Sequence, residues 1–152
     1  MANEVAARFD HLAADCVSGN EQGGILLGSY RGPHIEMVDM TFPGPMDTGT
    51  RTSFTKVDRV HQSVATKVWR ASGGTRAYIG EWHTHPGSQA IPSFLDRRTW
   101  GQISAGIKHT GVFVIVAPGA WELFVTERRL HWSVKPMSRM PYGNEYVGFR
   151  CG

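Results

Sequence analysis

The sequence has only two cysteines, Cys16 and Cys151, among its 152 residues. Two cysteines can form neither a disulfide framework nor a four-cysteine zinc site, so the chain must fold on a hydrophobic core. No apolar run approaches the roughly 18 residues that a membrane-spanning helix needs. The N-terminal segment carries acidic residues and is not typical of a secretory signal. We therefore expect a cytoplasmic protein with no membrane partner.

Strongly basic segments are also missing. The chain has 16 Lys and Arg against 13 Asp and Glu, a net charge of +3, and no basic run is longer than two residues. This weak balance gives no support to nucleic-acid binding, so no nucleic-acid partner is expected. With 41% hydrophobic and 19% charged residues, the composition is that of a globular protein. We expect a single domain over 1–152, with a core over about 3–135 and a turn-rich tail over 136–152.

Apolar spacing predicts helices that alternate with strands, and the 18 glycines indicate many tight turns. Helices are predicted over 3–18, 56–69 and 96–108. The second helix is expected to bury one face made by Val57, Val60, Val64 and Val68. Strands are predicted over 23–30, 34–42, 77–82, 112–116, 121–126 and 130–134. Residues 43–53 are predicted to be a loop, either a disordered connection or a lid or wall for a substrate. This order predicts an α/β (α+β) fold with one mixed sheet and about three helices.

The segment from His83 to Asp96 carries the chemistry of the sequence. His83 and His85 are two residues apart, so in an extended chain they point to one face, and Pro86 favours an extended His85. Ser93 and Asp96 are three apart and share one face of the predicted third helix. Asp96 can therefore bring a carboxylate oxygen to an ion held by the two histidines. Two imidazoles and one carboxylate are the three protein ligands of a catalytic zinc site whose fourth position holds water.

Each part of this pattern also has a simpler interpretation. An isolated His-x-His motif usually does not bind a metal. Ser-x-x-Asp before an apolar helix is close to a capping box, in which Ser93 would serve the helix backbone; Ser93 can also do both jobs. Glu21, before paired glycines at the start of the first strand, is a candidate general base. A glutamate in such a place is normally solvated.

Taken together, the motifs resemble the JAMM (MPN+, or JAB) family of zinc isopeptidases. Glu21 precedes Gly-Gly-Ile-Leu-Leu-Gly, Glu-Trp-His-Thr-His-Pro follows, and seven residues separate His85 from Ser93 of Ser-x-x-Asp. The resemblance implies a curved MPN-type sheet flanked by helices, and one Zn²⁺ per chain with a catalytic water. It implies His83, His85 and Asp96 as zinc ligands, Glu21 as general base and acid, and Ser93 as donor to the oxyanion. Such hydrolysis needs no covalent intermediate, so neither cysteine is expected to be catalytic.

Within the family, the strings around Gly23-Gly24 and His83 are similar to short bacterial JAB peptidases, above all the deconjugating peptidases of CBASS anti-phage operons. This implies an isopeptidase whose substrate is a protein with an extended C-terminal tail, a cGAS-like nucleotidyltransferase joined to its targets. An alternative is a JAB peptidase that processes a sulfur-carrier or another bacterial ubiquitin-like protein. An inactive MPN scaffold is less favoured, because such scaffolds lose ligand residues and this sequence keeps all five motif positions.

Overall fold

A curled mixed β-sheet organises the protein in its computed structural model, which describes residues 1–128 and 132–151. The helices are α1 (Asn3–Asp15), α2 (Arg59–Ala71) and α3 (Phe94–Ile107). The strands of the main sheet are β1 (Gly23–Arg31), β2 (His34–Met40), β5 (Ala77–Thr84), β6 (Val112–Ala117), β7 (Ala120–Arg128), β8 (Trp132–Tyr142) and β9 (Tyr146–Cys151). A separate short hairpin consists of β3 (Thr48–Gly49) and β4 (Phe54–Thr55).

The strand order of the main sheet is β2-β1-β5-β6-β7-β8-β9. Among these neighbours, β5 and β6 pair in parallel and the others pair antiparallel. A parallel pair needs a crossover connection, and here that crossover contains α3. The predicted α+β fold, with one mixed sheet and three helices among the described residues, is confirmed.

The central strand β6 is buried on both of its faces. One face packs with Phe9 of α1 and Trp82 of β5, and the opposite face packs with Trp100 of α3. Burying such apolar side chains contributes roughly 1.5–3 kcal/mol each. Helices α1 and α3 therefore pack on opposite faces of the sheet, and the end of β5 lies between them.

The first residues of the chain lie between the two outer strands of the sheet. The Ala2 N–H donates to the Met37 carbonyl of β2 at 2.9 Å, and the Val147 N–H of β9 donates to the Met1 carbonyl at 2.8 Å. The same short segment thus contacts both β2 and β9. The sheet is curled far enough for its outer strands to approach one another here.

The second helix differs from its prediction in start and in buried face. It begins at Arg59 rather than at residue 56, because the Asp58 carboxylate accepts the Val60 N–H and caps the helix. Val57 and Val60, expected to be buried, are 60% and 37% exposed. The buried residue is His61, at 4%. Val64 and Val68 are partly buried as predicted, so the predicted face is wrong for Val57 and Val60 only.

The predicted turn-rich tail over 136–152 is wrong, since β8 and β9 pair across it. Pro136 pairs with Phe124 and Pro141 with Val147. Proline lacks the N–H that a sheet uses, so a sequence with prolines favours turns over strands. The predicted strand at 130–134 begins outside the described residues, and its remainder belongs to β8. The predicted loop over 43–53 contains β3 of the short hairpin.

No helix in the described ranges has both the length and the apolar character to cross a membrane.

Candidate metal centre

The end of strand β5 carries the two histidines of the candidate site. The strand was expected to end at residue 82 but continues to Thr84, and the His85 N–H then donates to the Val116 carbonyl of β6 at 2.7 Å. The chain is therefore extended through both histidines, as their spacing predicted. Their Nε2 atoms lie 3.0 Å apart.

The start of α3 supplies the carboxylate. Ser93 is the N-cap of the helix: its Oγ accepts the Asp96 N–H at 3.1 Å, and the Asp96 Oδ2 accepts the Ser93 N–H at 2.7 Å. The predicted capping box is thus confirmed. The same bonds fix the Asp96 carboxylate, whose Oδ1 lies 3.3 Å from His83 Nε2 and whose Oδ2 lies 3.6 Å from His85 Nε2. The cap and the ligand position are two consequences of one local structure.

These three side chains fit a metal ion. Their ligand atoms lie within 4.8 Å of one another. A tetrahedral zinc ion with bonds of about 2.0–2.1 Å places its ligand atoms about 3.3 Å apart, close to the separations given above. Two imidazole nitrogens and a carboxylate oxygen also suit a divalent transition metal.

Neighbouring groups fix the orientation of the histidines. His85 Nδ1 lies 3.3 Å from the Gln89 carbonyl, a contact that leaves Nε2 as the ligating nitrogen. The His83 ring packs near Trp100, with centroids 6.1 Å apart. Trp100 is 3% exposed and stacks on Phe113. Trp100 is thus a core residue that also borders the site.

The segment over 86–93 joins the two halves of the site without forming a helix or strand. It begins with Pro86, directly after His85, and ends with Pro92 and the cap Ser93. Ala90 and Pro92 are buried, so the segment is anchored in the protein at its far end.

Glu21 lies beside this group, just before β1. The Gln22 N–H donates to Thr84 Oγ1 at 2.9 Å and the Thr84 N–H donates to the Gln22 carbonyl at 2.8 Å, so the chain at Glu21 is joined to the end of β5. Gly23, which pairs with His83, permits this close approach: a Cβ there would lie 2.7 Å from the Trp82 carbonyl oxygen. The sequence could not show that Thr84 holds the chain at Glu21, because its partner Gln22 is far away along the chain.

The Glu21 side chain is not the solvated glutamate that its sequence position suggests. It is 9% exposed. Burial raises the pKa of Glu21, the charge of His83 opposes this, and the Asp96 carboxylate adds to it. A carboxyl whose pKa is raised above its usual range is better suited to take up and return a proton.

Asp96 and His85 are each shifted towards the protonation state that metal binding requires. Burial raises the pKa of Asp96, but the hydrogen bond and charge of His83 outweigh it and hold that pKa well below its usual range. Burial, followed by the charge of His83, lowers the pKa of His85. An anionic carboxylate and a neutral imidazole are the forms that bind a metal ion.

Both cysteines are free thiols. Cys16 is buried against the Val116 carbonyl, and burial raises the pKa of its thiol, so it lacks the thiolate character of a nucleophile. Cys151 is exposed on β9. The expectation that neither cysteine is catalytic stays a prediction.

Comparison with known families adds to this geometry. The family described as prokaryotic homologs of the JAB domain matches residues 5–131, which include all five site candidates. The chain belongs to this family. The resemblance to JAB proteins stated from the sequence is confirmed.

Curated relatives carry related names. The chain is 41% identical over 92 residues to a CD-NTase/cGAS isopeptidase of Pseudomonas aeruginosa, covering 60% of this chain and 56% of the relative. It is 29% identical over 128 residues to a protein of the same name from Escherichia coli, covering 84% of this chain and 80% of the relative. A probable metalloprotease of Sinorhizobium fredii is 35% identical over 80 residues, covering 51% of this chain and 49% of the relative. The chain thus spans only about half the length of the first and third of these relatives.

Proposed function

We propose that this protein is a zinc-dependent isopeptidase, with His83, His85 and Asp96 as the zinc ligands. The observation that carries the proposal is the convergence of these three ligand atoms beside the buried carboxyl of Glu21. Two imidazoles and one carboxylate leave a tetrahedral ion with an open position. When bound, zinc supplies a Lewis acid and a water of lowered pKa.

Glu21 is the proton carrier in this proposal. Its carboxylate accepts a proton from the water that attacks the substrate carbonyl, and it then donates that proton to the departing amine. One C–O bond forms, one C–N bond breaks, and the proton moves from water to amine. The buried position of Glu21 and its raised pKa support this role.

Ser93 is the proposed donor to the oxyanion that develops on the substrate carbonyl. In the capping box its oxygen accepts the Asp96 N–H, which leaves the hydroxyl hydrogen available to donate. A donor aimed at the developing charge stabilises the transition state more than the ground state.

The proposed substrate is a protein with an extended C-terminal tail, joined through an amide bond to its target. The names of the relatives favour a cGAS-like nucleotidyltransferase as that protein. Exposed apolar side chains near the site support a protein substrate: Ile91 is 59% exposed, Phe94 82% and Leu95 63%. Clustered apolar exposure beside a reactive site is typical of a surface that binds another protein.

The test is cleavage of a nucleotidyltransferase fused at its C-terminus to a reporter protein. The zinc-loaded protein should cut the junction, and Glu21→Gln should lower turnover by roughly 10²–10⁴-fold while zinc content and substrate binding stay unchanged. Glu122→Gln, at an exposed glutamate of β7, is the matched control and should cleave normally.

Four outcomes would contradict parts of the proposal. Normal cleavage by Glu21→Gln would exclude the proton-carrier role, and loss of zinc from that variant would make Glu21 a ligand. Cleavage of a sulfur-carrier fusion but not of the nucleotidyltransferase fusion would favour the alternative substrate class. No cleavage of any conjugate would favour a scaffold.

A further inference from the structure

A buried chain of three polar side chains lies away from the metal ligands. Thr41 Oγ1 is 2.6 Å from His61 Nδ1, and His61 Nε2 is 2.7 Å from Asp47 Oδ2. The His61 and Asp47 side chains are only 5% and 1% exposed, and Thr41 is 4% exposed. Burial of such groups is costly unless all of them are hydrogen-bonded.

The Asp47 carboxylate is the centre of this network. Besides His61, it accepts the N–H groups of Gly44 at 2.8 Å and of Val57 and Asp58 at 2.7 Å each. Both ends of the loop over 44–58 are therefore tied to one side chain. The interpretation of residues 43–53 as a disordered connection is wrong, because Gly44 and Thr50 within them are held by hydrogen bonds to Asp47 and to Glu21.

The other end of the network is fixed to the sheet. Thr41 Oγ1 accepts the Ile25 N–H of β1 at 2.9 Å, and the Thr41 carbonyl accepts the Trp82 Nε1–H of β5 at 2.9 Å. If the His61 Nε2–H donates to Asp47 and the Thr41 hydroxyl donates to His61 Nδ1, each of these polar hydrogens has one acceptor. The loop is thus joined to the two strands that carry the site.

Threonine, histidine and aspartate in this order resemble the nucleophile, base and orienting acid of a hydrolase. Here the Thr41 oxygen is buried and already accepts a backbone N–H. A substrate carbonyl cannot reach it, so the network does not form a second active site.

The hairpin that Asp47 precedes contacts the backbone of Glu21 directly. The Glu21 N–H donates to the Thr50 carbonyl at 2.6 Å. A Cβ at Gly49 would lie 2.0 Å from the Glu21 carbonyl oxygen, so the hairpin packs against Glu21 as closely as a glycine allows. Phe54 of β4 covers the next part of the chain, at Gly23.

We infer that Thr41, His61 and Asp47 are positioning residues that hold the β3–β4 hairpin against Glu21 and thereby fix the Glu21 carboxyl beside the metal site. This inference rests on the proposed function for its catalytic consequence, but the structural part can be tested without activity. A misplacement of about 1 Å in a reacting group can cost about 10²-fold in rate. A network outside the site can therefore control turnover.

The first test measures amide hydrogen exchange in the metal-free protein by NMR. Asp47→Asn keeps the shape of the side chain but removes its charge, and Thr41→Val removes one hydroxyl with little change in volume. Both should speed exchange of the Glu21 amide at least about 10-fold, because its bond to Thr50 opens more often. Thr126→Val is the matched control: it removes a hydroxyl that is equally buried and bonded to Ser104, and it should leave the Glu21 amide unchanged.

The second test measures cleavage by the zinc-loaded variants. Thr41→Val and Asp47→Asn should lower kcat roughly 10–100-fold with zinc content and KM little changed, and Thr41→Ser should restore the rate. Unchanged Glu21 exchange in both variants would overturn the inference, as would a kcat loss no larger than that of Thr126→Val. If the wild type cleaves nothing, the proposed function fails, while the exchange result still decides the structural inference.

Discussion

At the scale of single residues, Ser93 caps a helix in a way that is compatible with the second role proposed for it. Its hydroxyl oxygen caps α3 by accepting the Asp96 N–H, and its hydroxyl hydrogen stays available for an oxyanion. A serine at an N-cap is ordinary. Its position three residues before a metal-ligand candidate makes the proposed second role possible.

Substitutions at Ser93 can separate these roles. Ser93→Ala removes both the cap and the donor, whereas Ser93→Gly removes the donor but keeps an acceptable N-cap, at a cost of only a few tenths of a kcal/mol. We expect both variants to keep zinc and to lose roughly 10²–10³-fold in kcat, measured on the fusion substrate. Ser93→Thr should retain cleavage. If Ser93→Gly cleaves normally while Ser93→Ala is only less stable to heat, Ser93 is a helix cap and nothing more.

Four of the five site candidates have a signal in local spacing. His83 and His85 lie in one strand, and Ser93 and Asp96 share one helical turn, so spacing alone places each pair on a common face. Glu21 was only a weak candidate from its place before paired glycines, and the resemblance to a family implied its role. What spacing could not show was its burial, which depends on β1 lying against β5 at Gly23.

At the scale of elements, the loop and helix over 43–71 departed most from expectation. The buried face of α2 is centred on His61, whose partners Thr41 and Asp47 are 20 and 14 residues away in sequence. A pattern of hydrophobic residues cannot register a buried polar network of this kind. Of the four valines that it did register, Val57 and Val60 are on the surface and Val64 and Val68 are partly buried.

Asp47 should make the stability of the protein sensitive to acid. Burial raises the pKa of Asp47, but the N–H groups of Asp58, Gly44 and Val57 together with His61 hold it well below its usual range. In the unfolded chain the Asp47 side chain has a pKa of about 3.9. Its contribution to the free energy of unfolding is therefore complete above that pH. It is lost as the pH falls towards the folded pKa, because the unfolded chain takes up a proton that the folded protein does not.

Urea unfolding at several pH values checks this expectation. Asp47→Asn should lower the free energy of unfolding at neutral pH by about 1–3 kcal/mol, since buried donors lose their charged acceptor. It should also flatten the loss of stability below about pH 4. Asp15→Asn, at an exposed aspartate, should follow the wild type. An unchanged acid profile in Asp47→Asn would mean that other carboxyl groups dominate.

At the scale of the whole molecule, the site is built where the only parallel pair of the described sheet meets its crossover helix. His83 comes from β5 and Asp96 comes from α3, and β6 supports both, because it pairs with β5 along its edge and packs against α3 through one of its faces. The order of these elements was predicted correctly. The pairing of β8 with β9 was not predicted, because Pro136 and Pro141 favour turns and the pairing partners lie on other strands.

Metal binding should therefore stabilise the whole fold. At a free zinc concentration of about 100 times Kd, the free energy of unfolding should rise by about 2.7 kcal/mol, so chelation should lower the Tm. His85→Ala should bind little zinc and have a Tm that is insensitive to the chelator. His11→Ala, at an exposed histidine of α1, should respond to the chelator as the wild type does. A chelator effect that persists in His85→Ala would place the stabilising ion elsewhere.

The segment over 86–93 has a consequence for how tightly such an ion is held. An ion that joins His85 to Asp96 closes a short loop of chain, and closing a loop costs conformational entropy. Pro86 and Pro92 restrict that loop already in the unfolded chain, so less freedom remains to be lost. We therefore expect a stretch that supplies none of the proposed ligands to contribute to the affinity of the site through its stiffness, so that this affinity can change without a change of ligand.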